Sequence, residues 1–231
     1  TWKAPAGVAL NSDFTVKVRL QDGVWHTLSS YLIKVDEVRD TRHYVENASM
    51  AIFDFTGKVE VAVTYNLGEV QTAKVRPLSY DIPFQIDGNT VTFTLEHPRN
   101  LSVEVNGDIF HNLHLFTGSP ERTIPDKDNP EVIYFGPGIH TVKNGELRVP
   151  SGKTVYLAGG AVLMGRVLIE NVHDVKLLGR GIIDHSIKGG IRIANSRDVY
   201  VEGIVATQCA TGGSENVTIR NVKSISSVSY T

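Results

Sequence analysis

The sequence lacks most of the features by which common protein classes are recognised. It contains one cysteine, Cys209, so no disulfide can form within the chain, and no CxxC pair or Cys/His spacing predicts a zinc site. No apolar run is long enough to cross a bilayer, and no run of like charge predicts a membrane-binding surface. The net charge of -2 argues against a partner held through its phosphates. We therefore expect neither a membrane nor a nucleic-acid partner, and the oligomeric state is left open.

Motifs for nucleophilic and phosphate chemistry are also missing. There is no G-x-S-x-G sequence, no phosphate-binding glycine loop and no assignable histidine partner for Cys209. His111 and His114 are three residues apart on a predicted strand and would face opposite sides, so with His140 they predict no metal site. We expect no cofactor. The opening TWKAPAGVAL has too short an apolar run for a signal peptide.

Short alternating strands fill residues 1–118. FTVKVRL, KVEVAVTY and NTVTFTLEH alternate apolar and polar residues, and Asp22-Gly23, Asp87-Gly88 and Asn106-Gly107 supply turn signals around them. Strands at intervals of about 8–12 residues are typical of an antiparallel β-sandwich. Residues 119–130, rich in proline and charge, are predicted to form a linker.

From residue 131 the pattern changes to a repeat with a period of about 21 residues. Five segments begin with valine, at Val132, Val155, Val175, Val199 and Val217, and each has an apolar or aromatic residue two positions later. Such repeats, with loops of variable length, predict a right-handed parallel β-helix whose coils stack about 4.8 Å apart. The predicted fold is therefore all-β, with an N-terminal β-sandwich (1–118), a linker (119–130) and the first coils of a β-helix (131–231).

Glycine and asparagine recur at fixed places in this repeat. Four positions after the valines stand, in order, Gly136, Gly159, Gly179, Gly203 and Asn221, the residue types that best tolerate a positive φ. Asn171 and Asn195 stand four positions before two of the valines, and Asp174 and Asp198 immediately before the same two. We interpret all of these as turn residues rather than as catalytic or binding residues.

Three of these segments, GRGIIDHS, NSRDVYVEGI and SENVTIRNV, resemble the polygalacturonase-like glycoside hydrolases of family 28 and the dextranase–isopullulanase-like clan. VNGDIFHNLHLF, IYFGPGIHTV and VYLAGGAVLMG are similar to the bacterial members that carry an N-terminal β-sandwich. The resemblance implies a secreted or periplasmic glycosidase that hydrolyses a polysaccharide or oligosaccharide, usually with inversion. Inverting hydrolysis needs two carboxyl groups about 6.5–9.5 Å apart.

The family's catalytic motifs are absent from the repeat region. Its acids lie in N-T-D-G or S-D-G, in an Asp-Asp pair and near G-H-G and R-x-K, and none of these occurs in residues 131–231. We therefore expect the catalytic acids beyond Thr231, which makes this chain an N-terminal portion of the enzyme. Asp184 matches a structural motif of the family, although His185 stands where the family has glycine. His185 and Arg180 are the candidate substrate-binding residues.

Two other functions are compatible with the sequence. The remaining acids of the repeat show no paired arrangement in the sequence; they are Glu146, Glu170, Asp174, Asp198, Glu202 and Glu215. A non-catalytic carbohydrate-binding or structural β-helix protein would need no such pair. A calcium-dependent, pectate-lyase-like enzyme would need an acidic cluster on the coils, which the sequence does not offer.

Overall fold

The computed structural model describes residues 1–20, 23–184 and 190–225. Strands make up its regular secondary structure, apart from one 3-10 turn at Leu78–Tyr80, so the all-β prediction is confirmed. No helix long and apolar enough to span a membrane occurs among these residues. The chain divides into two compact units. Among the described residues, the first contains Thr1–Lys3 and Ala9–Pro120, and the second contains Ala4–Val8 and 121–225.

The first unit contains two five-stranded sheets. Its strands are β1 (Phe14–Leu20), β2 (His26–Thr27), β3 (Tyr31–Arg39), β4 (Arg42–Asp54), β5 (Val59–Tyr65), β6 (Ala73–Arg76), β7 (Phe84–Asp87), β8 (Thr90–Leu95), β9 (Asn100–Val105) and β10 (Asp108–Gly118). The sheet orders are β2-β1-β5-β8-β7 and β3-β4-β10-β9-β6. Neighbouring strands run antiparallel except β4 and β10, which are parallel. The second sheet is therefore mixed: it departs from the predicted antiparallel arrangement at this one pair, and its other pairs are antiparallel as predicted.

Both sheets of the first unit contribute to one apolar core, as in a sandwich. Val16 and Val61 from the first sheet and Phe53 and Leu113 from the second are almost wholly buried in the same cluster. Alternation along each strand places these residues on one side. The β9–β10 hairpin turns where the sequence predicted it, since Asn106 and Gly107 have φ of 54° and 81°. The predicted turn at Asp22 lies outside the described residues.

The second unit is a parallel β-solenoid. Its strands are β11 (Val132–Phe135), β12 (Gly138–Arg148), β13 (Thr154–Leu157), β14 (Ala161–Glu170), β15 (His173–Gly179), β16 (Ile182–Asp184), β17 (Ile191–Ala194), β18 (Arg197–Glu202), β19 (Val205–Ala206), β20 (Cys209–Gly212), β21 (Glu215–Arg220) and β22 (Lys223–Ser224). Its strand pairs run parallel between successive coils, so the predicted parallel β-helix is confirmed.

The coils present three faces. Face A consists of β11, β13, β15, β18 and β21. Face B consists of 138–141 and 161–164 with β16, β19 and β22, and face C of 146–148 and 166–170 with β17 and β20. β12 and β14 belong to both B and C because they bend between them. At the bend Gly165 has φ +142°, and a Cβ there would lie 2.6 Å from the carbonyl oxygen of Gly145, so the coils approach too closely for a side chain.

The predicted register is correct for the later coils and wrong for the earlier ones. Val175 pairs with Val199, and Val199 with Val217, as predicted. Val155, however, pairs with Leu177 rather than Val175, and with Ile133 rather than Val132. Aligning the segments on their first valine gave the wrong register. Inward positions alternate along a strand, so either of two apolar residues can occupy the same stacked core position.

The turn residues follow the prediction in part. Gly179, Gly203 and Asn221 have positive φ, and so do Asn171, Asn195, Asp174 and Asp198, as expected for left-handed turns. Gly136 and Gly159 do not, and Gly138 and Gly160, one or two positions later, have φ of 136° and 85° instead. Because the register of the first two coils is shifted, their turns are shifted as well.

Inward apolar side chains form continuous ladders along the solenoid. Val155, Leu177 and Val201 stack in the core from face A, and Val167 and Ile191 from face C; each is at most 1% exposed. Their burial removes a large apolar area from water. Because each coil contacts only the adjacent coils, this burial stabilises the stacking of neighbouring coils. Face C is therefore held rigidly from within, and its outward side chains are positioned by its register.

Candidate functional site

The outward side of face C becomes shallow where β17 meets β20. Ile191 and Ile193 point into the core, so Arg192 and Ala194 point outward between them. In the next coil Ala210 pairs with Arg192, and Gly212 pairs with Ala194. These small outward residues leave a depression beside the long side chain of Arg192.

This depression is a groove with a volume of about 460 Å³, which we call the face C groove. Its floor includes Ala194, Ala210 and Gly212, and its polar walls are Arg166, Arg192, Asn195, Gln208 and Thr211. A Cβ added at Gly212 would meet nothing within 4 Å. The polar walls present guanidinium, amide and hydroxyl groups, which donate to and accept from hydroxyl-rich ligands. The described residues that line the groove include no carboxylate.

Five charged side chains form a ladder beside the groove, from Arg166 through Glu146, Arg148 and Glu170 to Arg192. Arg166 Nη2 donates to Glu146 Oε1 at 2.6 Å, and Arg148 Nη2 donates to Glu146 Oε2 at 3.0 Å. Arg148 Nη1 donates to Glu170 Oε2 at 3.2 Å, and Arg192 Nε lies 3.1 Å from Glu170 Oε1. Each carboxylate oxygen of the two glutamates therefore faces a guanidinium nitrogen.

A second depression, with a volume of about 400 Å³, adjoins the groove at the corner between faces C and A. Asn195 lines both depressions, and His173, Arg197 and Glu215 are among the residues of the second. Ser196 stabilises the turn at this corner. Its side chain donates to the carbonyl oxygens of Ile169 and Ala194 at 3.1 and 2.9 Å. The polar surface of the groove therefore continues around the corner.

Of the residues that the sequence singled out, Arg180 and Asp184 are described, and neither lines this groove. Arg180 is 8% exposed, and its Nη1 donates to the carbonyl oxygen of Gly179 at 3.0 Å. A Cβ at Gly203 of the next coil would lie 2.2 Å from Arg180 Nη1, so the guanidinium is packed under that coil. Asp184 is half-buried in β16, beside Met164. His185 lies outside the described residues. The substrate-binding roles of Arg180 and His185 stay predictions.

The three histidines that were considered as metal ligands have other surroundings: two contact protein oxygens and the third is largely buried. In the first unit, the ring of His111 pairs with Asp108 at 2.9 Å and with Glu46 at 3.1 Å. The hydrogen bond to Asp108 raises the pKa of His111, whereas burial lowers the pKa of His114. In the second unit, His140 Nε2 lies 2.7 Å from the carbonyl oxygen of Gly136. Within the described ranges, no three His, Cys, Asp or Glu side chains are grouped to hold a metal ion.

Sequence reasoning missed Arg192, Gln208 and the ladder of charges. Glu146 and Glu170 belong to different coils and show no pairing in the sequence, and only the register places Arg148 between them. A signal was present, because Glu146 and Arg148 occupy alternate positions of one strand and so share a face. Recognising it required the bend that divides β12 between two faces.

Comparisons with known proteins give a structural relative but no sequence family. No protein-family model matches the sequence, and no similar sequence was found among curated proteins. The structure is similar to Dex49A from Penicillium minioluteum, with a TM-score of 0.69 and 14% identity over 97% of this chain. The match spans 60% of the Dex49A chain. At this identity the likeness shows the shared fold alone.

Proposed function

We propose that this chain is part of a polysaccharide-degrading glycoside hydrolase of the polygalacturonase-like type, and that the face C groove binds the saccharide. The observation that carries the proposal is the groove itself. It lies on a parallel β-helix, has a floor of small residues, and has amide and guanidinium walls. Saccharide sites need many hydrogen-bonding groups at fixed positions, and outward side chains of stacked strands provide them.

Two further facts support this assignment. The motifs in GRGIIDHS and NSRDVYVEGI resemble the polygalacturonase-like clan, to which the dextranase type belongs, and the fold is similar to that of Dex49A. One likeness rests on sequence motifs and the other on the path of the backbone. A secreted or periplasmic location and an extracellular polysaccharide belong to the same proposal.

The chemical step requires carboxyl groups, and the described part of the groove lining contains none. We propose that the acids belong to a coil that would stack on β20, beside Gln208. Carboxyl groups on neighbouring coils would then span the separation of about 6.5–9.5 Å that inversion uses. The chain of 231 residues should accordingly bind saccharide without cleaving it.

The non-catalytic alternative rests on the same missing carboxylates. A carbohydrate-binding or structural β-helix protein would use the groove for binding alone. The two functions are distinguished by assaying a chain that is extended after β22 by coils carrying acids. A hydrolase would then release reducing sugar from the polysaccharide, and a binding protein would not.

The proposal is tested by affinity electrophoresis of the chain in gels that contain dextran, polygalacturonate or other polysaccharides. We expect at least one of them to retard the wild type. Gly212→Trp should abolish the retardation, because the indole fills the groove at a position with free space. Thr218→Trp, at an exposed position of β21 on face A, is the matched control and should be retarded like the wild type. Wild-type mobility that is unchanged in every gel, or retardation that survives Gly212→Trp, would overturn the assignment.

A further inference from the structure

We infer that Glu170 is a positioning residue that holds Arg192 at the face C groove, and that Arg192 is the main hydrogen-bond donor to the saccharide. The inference rests on the proposed function, since it assigns roles within the same groove. It is carried by the juxtaposition of a groove lined by Arg192 and the ladder that holds this side chain from the other side.

Arg192 reaches the groove from an exposed position. Its side chain is 62% exposed, whereas that of Glu170 is 24% exposed. A long side chain with that much freedom would have to be ordered by each ligand, which weakens binding. The ion pair between Nε of Arg192 and Oε1 of Glu170, at 3.1 Å, restricts the guanidinium before the ligand arrives.

Glu170 is itself held in place. Its second oxygen, Oε2, accepts a hydrogen bond from Arg148 at 3.2 Å, and Arg148 is tied in turn to Glu146. Arg148 does not line the groove, so it serves as a support behind the glutamates. A network in which several charges fix one another is more effective than an isolated surface ion pair.

In this inference the Nη groups of Arg192 donate to the ligand. Arg192 contacts Glu170 through Nε, and the guanidinium is a planar fork that can donate from its other edge. Arg166 lines the groove as a second guanidinium and is tied to Glu146 through its Nη2. Two fixed forks suit oxygen pairs that lie in one plane, such as neighbouring ring hydroxyls or a carboxylate of a saccharide.

The test is a double-mutant cycle on saccharide affinity, with Glu170→Ala, Arg192→Ala and the double variant, using the polysaccharide that retards the wild type. Loss of a hydrogen bond to a charged group corresponds to about a tenfold weakening or more, so we expect each single variant to weaken the dissociation constant by at least about tenfold. The double variant should be no weaker than Arg192→Ala, because Glu170 acts only through Arg192. A structural role would instead give additive losses.

Controls separate this inference from the proposed function. Glu202→Ala removes a glutamate of face A that pairs with Tyr200, and it should leave affinity unchanged. Wild-type affinity in Glu170→Ala, or additive losses in the cycle, would overturn the inference while loss of binding in Gly212→Trp still supports the groove. A wild type that binds no saccharide would overturn both. The Nε–H signal of Arg192 in side-chain NMR gives a second reading without ligand, and it should shift in Glu170→Ala.

Discussion

Replacement of Gly179 by alanine should destabilise the solenoid strongly, although it adds only one methyl group. Gly179 ends β15 with φ +126°, a conformation that side chains rarely adopt. A Cβ there would lie 1.9 Å from the carbonyl oxygen of Leu157 and 2.7 Å from its carbonyl carbon. Both contacts are to backbone, so neither can be relieved by rotating a side chain.

The magnitude follows from two costs. A strained backbone conformation costs about 1–3 kcal/mol, and forcing extra atoms into a packed interior costs about 1–3 kcal/mol more. Leu157 cannot retreat freely, since its carbonyl oxygen accepts hydrogen bonds from the amides of Arg180 and Gly181 at 2.9 and 3.1 Å. We therefore expect Gly179→Ala to lower the free energy of unfolding by about 3 kcal/mol or more.

The assay is urea unfolding followed by far-UV circular dichroism, which reports strands in both units. With a slope of about 1–3 kcal/mol per molar urea, the midpoint of the solenoid transition should fall by about 1 M or more. Tryptophan fluorescence reports the first unit separately, because Trp2 and Trp25 both belong to it. Gly212→Ala is the matched control, since its Cβ meets nothing and its φ is not in the left-handed range. A loss below about 1 kcal/mol in Gly179→Ala would refute the close approach of these coils.

Two further predictions concern ionisable groups. The pKa of His111 is raised above its ordinary value of 6.5, first by the hydrogen bond to Asp108, so its contribution to stability is fully present at pH below 6.5 and is lost as pH rises through the folded pKa. His111→Gln should therefore lower stability at about pH 5.5 and have little effect at about pH 9, and equal effects at both pH values would contradict this. Burial raises the pKa of Cys209 to about 11, so its thiol should react with a disulfide reagent at about pH 8 on the order of a hundredfold more slowly in the folded chain than in urea. Equal rates would show that the thiol is not shielded by the solenoid.

Sequence periodicity was sufficient to predict the solenoid, because every coil needs apolar residues at equivalent inward positions. Val175, Val199 and Val217 fill equivalent core positions, so their alternation with polar residues marks the strands directly. It failed at Val155, where two inward residues per strand make two alignments equally apolar. In the first unit, alternation of apolar and polar residues predicted β1, β5, β8, β9 and β10. The parallel pairing of β4 with β10 depends on a long connection that no local pattern reveals.

The candidate site was harder to find because its parts come from three coils. Arg192, Glu170 and Arg148 are ordinary surface charges in the sequence, and their contacts exist only through the pairing of β12, β14 and β17. The shallow floor depends on Gly212. A glycine has no functional group, so nothing in the sequence marked this residue as part of a site. Arg180 drew notice through its motif, yet its side chain is packed beneath the next coil.

The most direct test of the proposed binding site is a crystal structure of the chain soaked with an oligosaccharide that it binds in solution. We predict electron density for sugar rings in the face C groove, with ring oxygens or hydroxyls within hydrogen-bond distance of Arg192, Asn195 and Gln208. Sugar density on face A or on the first unit, with the groove occupied only by solvent, would contradict the assignment of the binding site.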